Sequence, residues 1–345
     1  MRPTSAIIVA AALVAAGATA AHAQFGRDEG GRQPVRGRQA YQGGGGAQSD
    51  RFSRKVRLGR DGRFSLSNIE GDIIVTGGGG EDVEIEAIKR TRGNQRQLDE
   101  VRIEVEERAG RVDVRTLYPR RNQRGPGVSV AYTVTVPVSA SVELHSISGN
   151  IRVTNVQGAV RTDAISGNVT TSGTPRLGIV HTISGDIDIA DAGSDAEFAV
   201  NSISGNVRAR GLKARGVDAT TVSGDVHLID ANCERVTMRS TSGNAEYTGS
   251  LARNGRYDFN SHSGDIRLTI SEAVGFDLTA NTFSGTIRSD LPLTLGGPGS
   301  RTTLSGRVEM RRGGPGRGTI QARFGDGSAS IDARTFSGNI IITKR

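Results

Sequence analysis

From about residue 140 onward, apolar and polar positions alternate with a period of two, which predicts β-strands. The alternation restarts roughly every twenty residues around a Ser-Gly motif, and such a period predicts a stack of similar repeats. Weaker copies of the motif are centred on Gly243, Gly264, Gly285, Gly306 and Gly338. The clearest copies are Ile147-Ser148-Gly149-Asn150-Ile151, Ile165-Ser166-Gly167-Asn168-Val169, Ile183-Ser184-Gly185-Asp186-Ile187, Ile203-Ser204-Gly205-Asn206-Val207 and Val222-Ser223-Gly224-Asp225-Val226.

Alignment on the central glycine separates predicted inward columns from outward ones. The second position after the glycine is apolar in every copy, from Ile151 to Ile340. The second position before it, from Ile147 to Phe336, is aliphatic or aromatic in most copies, so it is also predicted to face the core. The third position before it is always small, which fits the inner corner of a bend between two strands.

The Asn or Asp that follows the glycine suits a turn and is expected to bond to its own backbone. Ser, Thr and Asn side chains are expected to form hydrogen-bonded ladders between repeats at about 4.8 Å. Together these columns predict an all-β chain folded as a parallel β-solenoid, or β-helix, with coils of about 20 residues. Right-handed coiling is favoured by the chirality of parallel β connections.

Four regions are predicted. Residues 1–23 have the features of a signal peptide, with Arg2, a short apolar stretch and the cleavage site Ala21-His22-Ala23. Residues 24–54 are rich in Gly and Arg and are predicted to form a flexible linker. Residues 55–140 are predicted as N-terminal β-rich capping coils, with one isolated motif around Gly71, and residues 141–345 as the repeat β-solenoid.

Charge and export narrow the expected partners. The 345 residues include 44 Lys and Arg against 36 Asp and Glu, a net charge of +8. An exported basic protein is expected in the periplasm or at the cell surface of a bacterium, where an acidic glycan, an envelope component or another protein could bind it. Nucleic acid is not an expected partner, and no segment is apolar and long enough to predict a membrane span. The single cysteine, Cys233, excludes an intramolecular disulfide and is interpreted as a turn thiol.

Basic residues recur in the outward columns of the repeats. Repeated charge on a stacked scaffold adds up to an extended field, so these residues predict a binding face for acidic surfaces. The alternative is that they only keep the protein soluble and protect strand edges. The residues assigned to this face are Arg208, Arg210, Lys213, Arg239, Arg267 and Arg288.

His145, Asp163 and His181 occupy the same outward column on three consecutive repeats. At a spacing of about 4.8 Å they could hold a divalent metal ion or transfer a proton. The alternative is a solvated polar column, which continues with Asn201 and Thr220. His262 falls in a column predicted to face inward and is expected to be buried.

Carboxylates near the motif raise the question of catalysis. Asp186 and Asp225 follow glycines, and Asp188 lies two residues beyond Asp186. Because Asn replaces Asp in alternate copies, a role in the turn is favoured over an acid–base pair. No catalytic residue and no cofactor are assigned.

Three sequence features resemble a known group: the repeated Ile-Ser-Gly-[Asn/Asp]-Ile motif, the strand Val130–Pro137 and the early Gly71-Asp72-Ile73-Ile74-Val75. They are similar to the bacterial "putative adhesin" family of unknown function over residues 55–345. This resemblance implies a β-solenoid domain related to the head domains of autotransporter adhesins, and it transfers no catalytic or binding residue. The leading hypothesis is therefore an exported, non-enzymatic scaffold that binds a surface, polymer or partner protein. The alternative is a solenoid lyase or hydrolase acting on acidic polysaccharide.

Overall fold

The computed structural model describes residues 48–119, 127–270, 274–297, 300–304, 308–310 and 319–345. In these ranges strand follows strand, and the one helix is the short α1 (Gln95–Glu100). The predicted all-β class is confirmed. The predicted signal peptide and residues 24–47 of the predicted linker lie outside the described residues.

The N-terminal strands combine antiparallel and parallel pairing. β1 pairs antiparallel with β4, β4 with β7 and β5 with β6, whereas β2 and β3 pair in parallel with β6 and β7. β1 begins inside the segment predicted as a linker, because its ten residues form a continuous ladder with β4. The strands are β1 (Gln48–Arg57), β2 (Arg63–Glu70), β3 (Ile73–Gly78), β4 (Asp82–Thr91), β5 (Arg102–Arg108), β6 (Arg111–Leu117) and β7 (Val128–Pro137).

The strands of the following repeats pair in parallel and in register. Ser148 aligns with Ser166, and Ser166 with Ser184. Each repeat is named below by its central glycine. Its strands are β8 (Ser141–Ser148), β9 (Ile151–Thr154), β10 (Val160–Ser166), β11 (Val169–Ser172), β12 (Leu177–Ser184), β13 (Ile187–Ala190), β14 (Gly193–Ser204), β15 (Val207–Arg210), β16 (Lys213–Ser223), β17 (Val226–Ser242), β18 (Ala245–Ser263) and β19 (Ile266–Ile270).

The early motif around Gly71 is the first member of this stack. β2 and β3 pair in parallel with β8 and β9, so the Gly71 repeat lies directly against the Gly149 repeat. The segment between them in the chain supplies the strands on the other side of β2 and β3. The motif is therefore isolated in the sequence but not in the fold.

At the other end, the order of the stack departs from the order of the chain. β26 pairs in parallel with both β18 and β20, and β27 with both β19 and β21. The Gly338 repeat therefore lies between the Gly264 and Gly285 repeats. The remaining strands are β20 (Phe276–Ser284), β21 (Ile287–Ser289), β22 (Leu293–Gly297), β23 (Ser300–Leu304), β24 (Val308–Met310), β25 (Thr319–Phe324), β26 (Ala329–Ser337) and β27 (Ile340–Lys344).

This insertion corrects the interpretation of the weak copy at Gly306. Gly306 itself lies outside the described residues, but β22–β23 and β21–β24 pair antiparallel. The segment therefore does not continue the parallel stack, and the C-terminal strands take the place beside the Gly264 repeat that chain order would assign to the Gly285 repeat. The long final interval between glycines reflects this intervening antiparallel segment rather than a simple loop.

The core lies between the inward columns. In the Gly149 repeat these are Val142, Leu144 and Ser146 before the glycine, and Ile151 and Val153 after it, all buried. The small residue at the inner corner donates its hydroxyl to the glycine carbonyl of an adjacent repeat over 2.9–3.3 Å, which confirms the predicted ladder. These donors are Thr182, Ser202, Thr221, Ser240, Ser261, Thr335 and Thr282.

The glycine at each bend is required by close stacking. Gly185 has a φ of 150°, and a Cβ added to it would lie 2.2 Å from the carbonyl oxygen of Gly167. Any side chain would collide with this rigid backbone atom as well as strain φ. The same contact recurs along the stack, so the spacing between repeats depends on it.

The residue after each glycine connects neighbouring repeats. The backbone N–H of Asn206 donates to Oδ1 of Asp186 over 2.7 Å, and that of Asp225 donates to Oδ1 of Asn206 over 2.9 Å. Each side chain therefore accepts a hydrogen bond from the next repeat. The predicted bond to the residue's own turn is not the one that forms. From Asp186 onward Asp and Asn alternate, so neighbouring carboxylates are separated by an amide.

Candidate binding surface

An exposed line of apolar side chains runs along the stack, formed by the second position before each glycine. Seven of its members are 39–62% exposed, so the prediction that this position faces the core is wrong. The bend explains the error: after the buried corner residue, the next inward side chain is the one two residues beyond the glycine. We call this line the apolar column; its exposed members, in stack order, are Ile147, Ile165, Ile183, Ile203, Val222, Thr241, His262, Phe336 and Phe283. The line begins at the half-buried Ile69 of the Gly71 repeat, which aligns with Ile147.

The column becomes aromatic where the C-terminal strands are inserted. The rings of Phe283 and Phe336 have centroids 4.8 Å apart and planes 4° from parallel. His262 stacks on the other face of this pair, 5.0 Å from Phe336 and 11° from parallel. His262 is exposed, which corrects the expectation of a buried histidine. The column thus has an aliphatic end and an aromatic end.

A groove of about 370 Å³ lies beside the aliphatic end. One wall is formed by Ile147, Ile165 and Ile183, and the facing wall by three polar side chains, His145, Asp163 and His181. The floor is the buried corner column, including Ser146 and Ala164. Ala164 lacks the hydroxyl that most repeats carry at this position, so the floor is less filled there. The groove therefore forms where the repeat pattern is broken.

The polar wall is a line of alternating acid and imidazole groups. His145 Nδ1 is 3.5 Å from Asp163 Oδ2, and His181 Nδ1 is 3.6 Å from Asp163 Oδ1. Glu143 Oε1 lies 3.5 Å from His145 Nε2 and extends the line. The groups are partly exposed, so each of these contacts contributes little to stability.

One end of the groove is closed by a rigid polar cluster. Thr116 Oγ1 donates to Asn68 Oδ1 over 3.0 Å and lies 2.7 Å from the Tyr132 hydroxyl. Asn68 in turn donates to the Val130 carbonyl over 2.8 Å. Burial raises the pKa of Tyr132 to about 12, so this phenol stays neutral at physiological pH. Asn68 occupies the corner position of the Gly71 repeat, aligned with Ser146, where the other repeats carry Ser, Thr or Ala. Thr116 belongs to no repeated polar pattern, so the sequence did not point to it.

His145, Asp163 and His181, the candidate metal ligands, are brought to the same wall. Within the described ranges, however, no group of three or more His, Cys, Asp or Glu side chains is arranged to hold a metal ion. The three side chains follow one line along the stack, whereas a zinc site needs ligands that converge from several directions. Their arrangement serves better as one wall of a groove.

The six basic residues do not share one column. Arg208 and Arg267 lie on the third position after the glycine, in a column that also contains Asp188, His227 and Glu246. Arg288 continues that column beyond the inserted strand. Arg210 lies two residues further along its strand, and Lys213 begins the next strand. Arg239 belongs to the same column as His145 and is paired with Asp218 at 3.4 Å. The predicted basic face is therefore divided among several columns.

The carboxylates considered for catalysis are engaged elsewhere. Asp186 and Asp225 accept backbone N–H groups of the following repeats over 2.7 Å, in agreement with a structural role at the bend. Cys233 lies in β17 rather than in a turn and is buried. Burial raises the pKa of its thiol to about 11, which keeps it protonated and unreactive at neutral pH.

Stacked β-repeats with an exposed column of mainly apolar side chains define an all-β repeat protein whose outer face is suited to binding. The Toastrack DUF4097 family matches residues 63–343, and the chain belongs to that family. No curated protein matches it. Among the described residues, no helix is long and apolar enough to cross a membrane.

A solved structure to which the chain is similar is that of a "putative cell adhesion protein" from Clostridium sporogenes ATCC 15579. The two share 8% sequence identity, with 86% of this chain and 100% of that chain covered and a TM-score of 0.23.

Proposed function

We propose that this protein is an exported, non-enzymatic, adhesin-like scaffold that binds a partner through the apolar column and its groove. The observation that carries the proposal is the exposure of seven large apolar side chains on one face. Soluble proteins rarely leave a contiguous apolar strip uncovered, and such strips mark interaction sites. Export is supported by the signal-like pattern of residues 1–23.

The same proposal includes the architecture that presents the column. We propose that the stacked repeats form a parallel β-solenoid with right-handed coiling, as the chirality of parallel connections favours. An in-register parallel stack holds the apolar side chains at a spacing of about 4.8 Å. A rigid face of this kind loses little conformational entropy on binding, which favours affinity.

The experiment compares two double variants with the wild-type chain. Ile165→Glu/Ile183→Glu places charges on the apolar column, and Arg208→Glu/Arg210→Glu is the control on exposed basic positions elsewhere. Binding is measured on an acidic-glycan array, on phosphatidylglycerol vesicles with and without lipopolysaccharide, and on immobilised wild-type chain. Circular dichroism verifies that each variant is folded.

We expect at least one of these probes to bind, about tenfold more weakly in the column variant and nearly unchanged in the arginine variant. No product should form from the glycans. The proposal is overturned if binding survives the column variant and is lost in the arginine variant, which would assign binding to the basic residues. Glycan turnover would instead support an enzyme.

A further inference from the structure

We infer that the groove beside the aliphatic end of the apolar column binds an amphipathic α-helix of a partner protein, one whose apolar stripe is flanked by Lys or Arg. The inference rests on the proposed function, because it names the partner of the same surface. The two walls of the groove, the spacing of its isoleucines and the charge on both sides of them point to this occupant.

The groove has an apolar wall and a polar wall over the same four repeats. The isoleucines of the apolar wall are Ile69, Ile147, Ile165 and Ile183, on consecutive repeats that span about 14 Å along the stack. The facing wall carries hydrogen-bonding side chains, including His145 and Asp163. Such a site suits a ligand that is itself apolar along one side and polar beside it.

The spacing of the isoleucines selects the conformation of the partner. Neighbouring members lie about 4.8 Å apart along the stack. On an α-helix that lies along the stack, apolar residues at i, i+3 or i+4, and i+7 recur once per turn, about every 5.4 Å. In an extended peptide, side chains on one face are about 6.7 Å apart and do not keep step with the column. A helix therefore places about one apolar side chain against each isoleucine.

Carboxylates lie on both sides of the isoleucines. Asp163 belongs to the polar wall, and Asp72 and Asp186 follow the glycines of the first and fourth of these repeats. Within the part of the chain that the structure describes, none of the three forms an ion pair with Arg or Lys, and the cationic or imidazole neighbours of Asp163 are His145 and His181. A helix over the groove would meet negative charge along both of its flanks.

Unpaired acids contrast with the rest of this chain, which has 44 Lys and Arg against 36 Asp and Glu. Elsewhere on the surface, Asp277 binds Arg323 over 2.6 Å and Glu81 binds Arg57 over 2.9 Å. Arg161, two residues before Asp163, lines a different groove. The aliphatic end of the column thus keeps uncompensated negative charge on a basic protein, and Lys or Arg beside an apolar stripe complements it.

The probe is a synthetic peptide of about 18 residues, long enough to be helical in water, with a Leu stripe at i, i+3, i+4 and i+7 and Lys on both sides of it. Two matched peptides are controls: one has the same composition in an order that disperses the stripe, and the other has Glu in place of Lys. Calorimetry with the full chain measures affinity, and circular dichroism measures helix content. The basic amphipathic peptide should bind about tenfold more tightly than either control and should gain helix on binding.

Asp→Asn changes in the protein test the charge. The triple variant Asp72→Asn/Asp163→Asn/Asp186→Asn keeps the shape of the surface, and Asn already occupies the bend position in neighbouring repeats. It should weaken binding of the basic peptide about tenfold at low salt. The difference from the wild type should shrink at high salt, because these charges are screened.

A second triple variant controls for net charge. Asp191→Asn/Asp195→Asn/Glu234→Gln also removes three exposed carboxylates, none of which lines the groove. It should change the affinity by less than about twofold, since its charges do not face the peptide. An equal loss in both triple variants would assign binding to net charge and would overturn the inference.

Alanine changes locate the site on the column. Ile147→Ala/Ile183→Ala should weaken binding about tenfold, whereas Phe283→Ala, exposed on the aromatic end, should leave it unchanged. The inference is overturned if the basic peptide binds no more tightly than its controls, binds without forming helix, or is indifferent to the isoleucines. If the peptide fails while binding to a glycan or vesicle is still lost in Ile165→Glu/Ile183→Glu, the helix is wrong and the proposed function stands. If no probe responds to that variant, both are wrong.

Discussion

Phe283 and Phe336 stack face to face although a long antiparallel segment separates them in the chain. The contact exists because β26 and β27 lie between the Gly264 and Gly285 repeats, which brings the Gly338 motif against the Gly285 motif. The last strands of the chain thus complete the interior of the stack rather than its end.

This insertion leads to the first prediction. Ile340 is fully buried in β27, so Ile340→Asp should displace the inserted strands. The amides of Gly264 and Ile266, which donate to Ser337 and Asn339, should then lose hydrogen-exchange protection. Amides in the Gly185 repeat should keep theirs. Lys344→Asp, exposed on the same strand, is the control, and unchanged protection at Gly264 and Ile266 would contradict the insertion.

The bend glycines give a second prediction. Gly185→Ala should lower the free energy of unfolding by about 3 kcal/mol, because its Cβ would press on the Gly167 carbonyl at a φ that Ala disfavours. Gly79→Ala is the matched control, since nothing lies within 4 Å of its added Cβ. Chemical denaturation measures both variants. Equal losses of unfolding free energy in the two variants would contradict a special requirement for glycine at Gly185.

The Asn/Asp ladder gives a third prediction. Asn206→Asp keeps the Oδ1 acceptor but places three carboxylates in succession, from Asp186 to Asp225. Repulsion should cost about 1 kcal/mol at low ionic strength and should shrink when salt screens the carboxylates. Asp225→Asn, which also keeps the acceptor and removes a charge, should cost nothing. Denaturation curves at low and high salt concentration test the pair.

The buried phenol of Tyr257 gives a fourth prediction. Burial raises the pKa of Tyr257 to about 12, above the value of about 10 for an unfolded tyrosine. The unfolded chain therefore ionises first, so stability is full below about pH 10 and falls as the pH rises towards 12. Tyr257→Phe should reduce this dependence, although it also loses the hydrogen bond to the Cys233 carbonyl. Tyrosinate absorbance during alkaline titration measures the pH at which the phenol ionises. Ionisation of Tyr257 near pH 10 without unfolding would contradict its burial.

Local pattern was sufficient to predict the strands, the bend and the hydroxyl ladder, because each depends on residues close in sequence. It failed where the same residue type serves two environments. Ile147 and Ile151 are equally apolar, yet the first is exposed and the second buried, since the bend reverses the expected side. Hydrophobicity alone reports a preference for leaving water, and it does not distinguish a core from a binding face.

Stack order could not be predicted for a related reason. Every motif offers the same backbone partners, so the sequence does not state which repeat lies beside which, and only packing places Gly338 next to Gly264. The groove was likewise inaccessible, because Thr116 and Asn68 come from segments that meet only in the folded chain. His145, Asp163 and His181 were identified as a column, but the isoleucines facing them had been assigned to the interior.

The alternation of Asp and Asn along the bends also restricts how the chain can change length. Between Asp186 and Asp265, removal of either amide-bearing repeat would bring two carboxylates together, as would duplication of any single acidic one. A single repeat can therefore be added at low electrostatic cost only if it carries an amide, whereas an acidic repeat has to arrive together with an amide-bearing neighbour, as a unit of about forty residues.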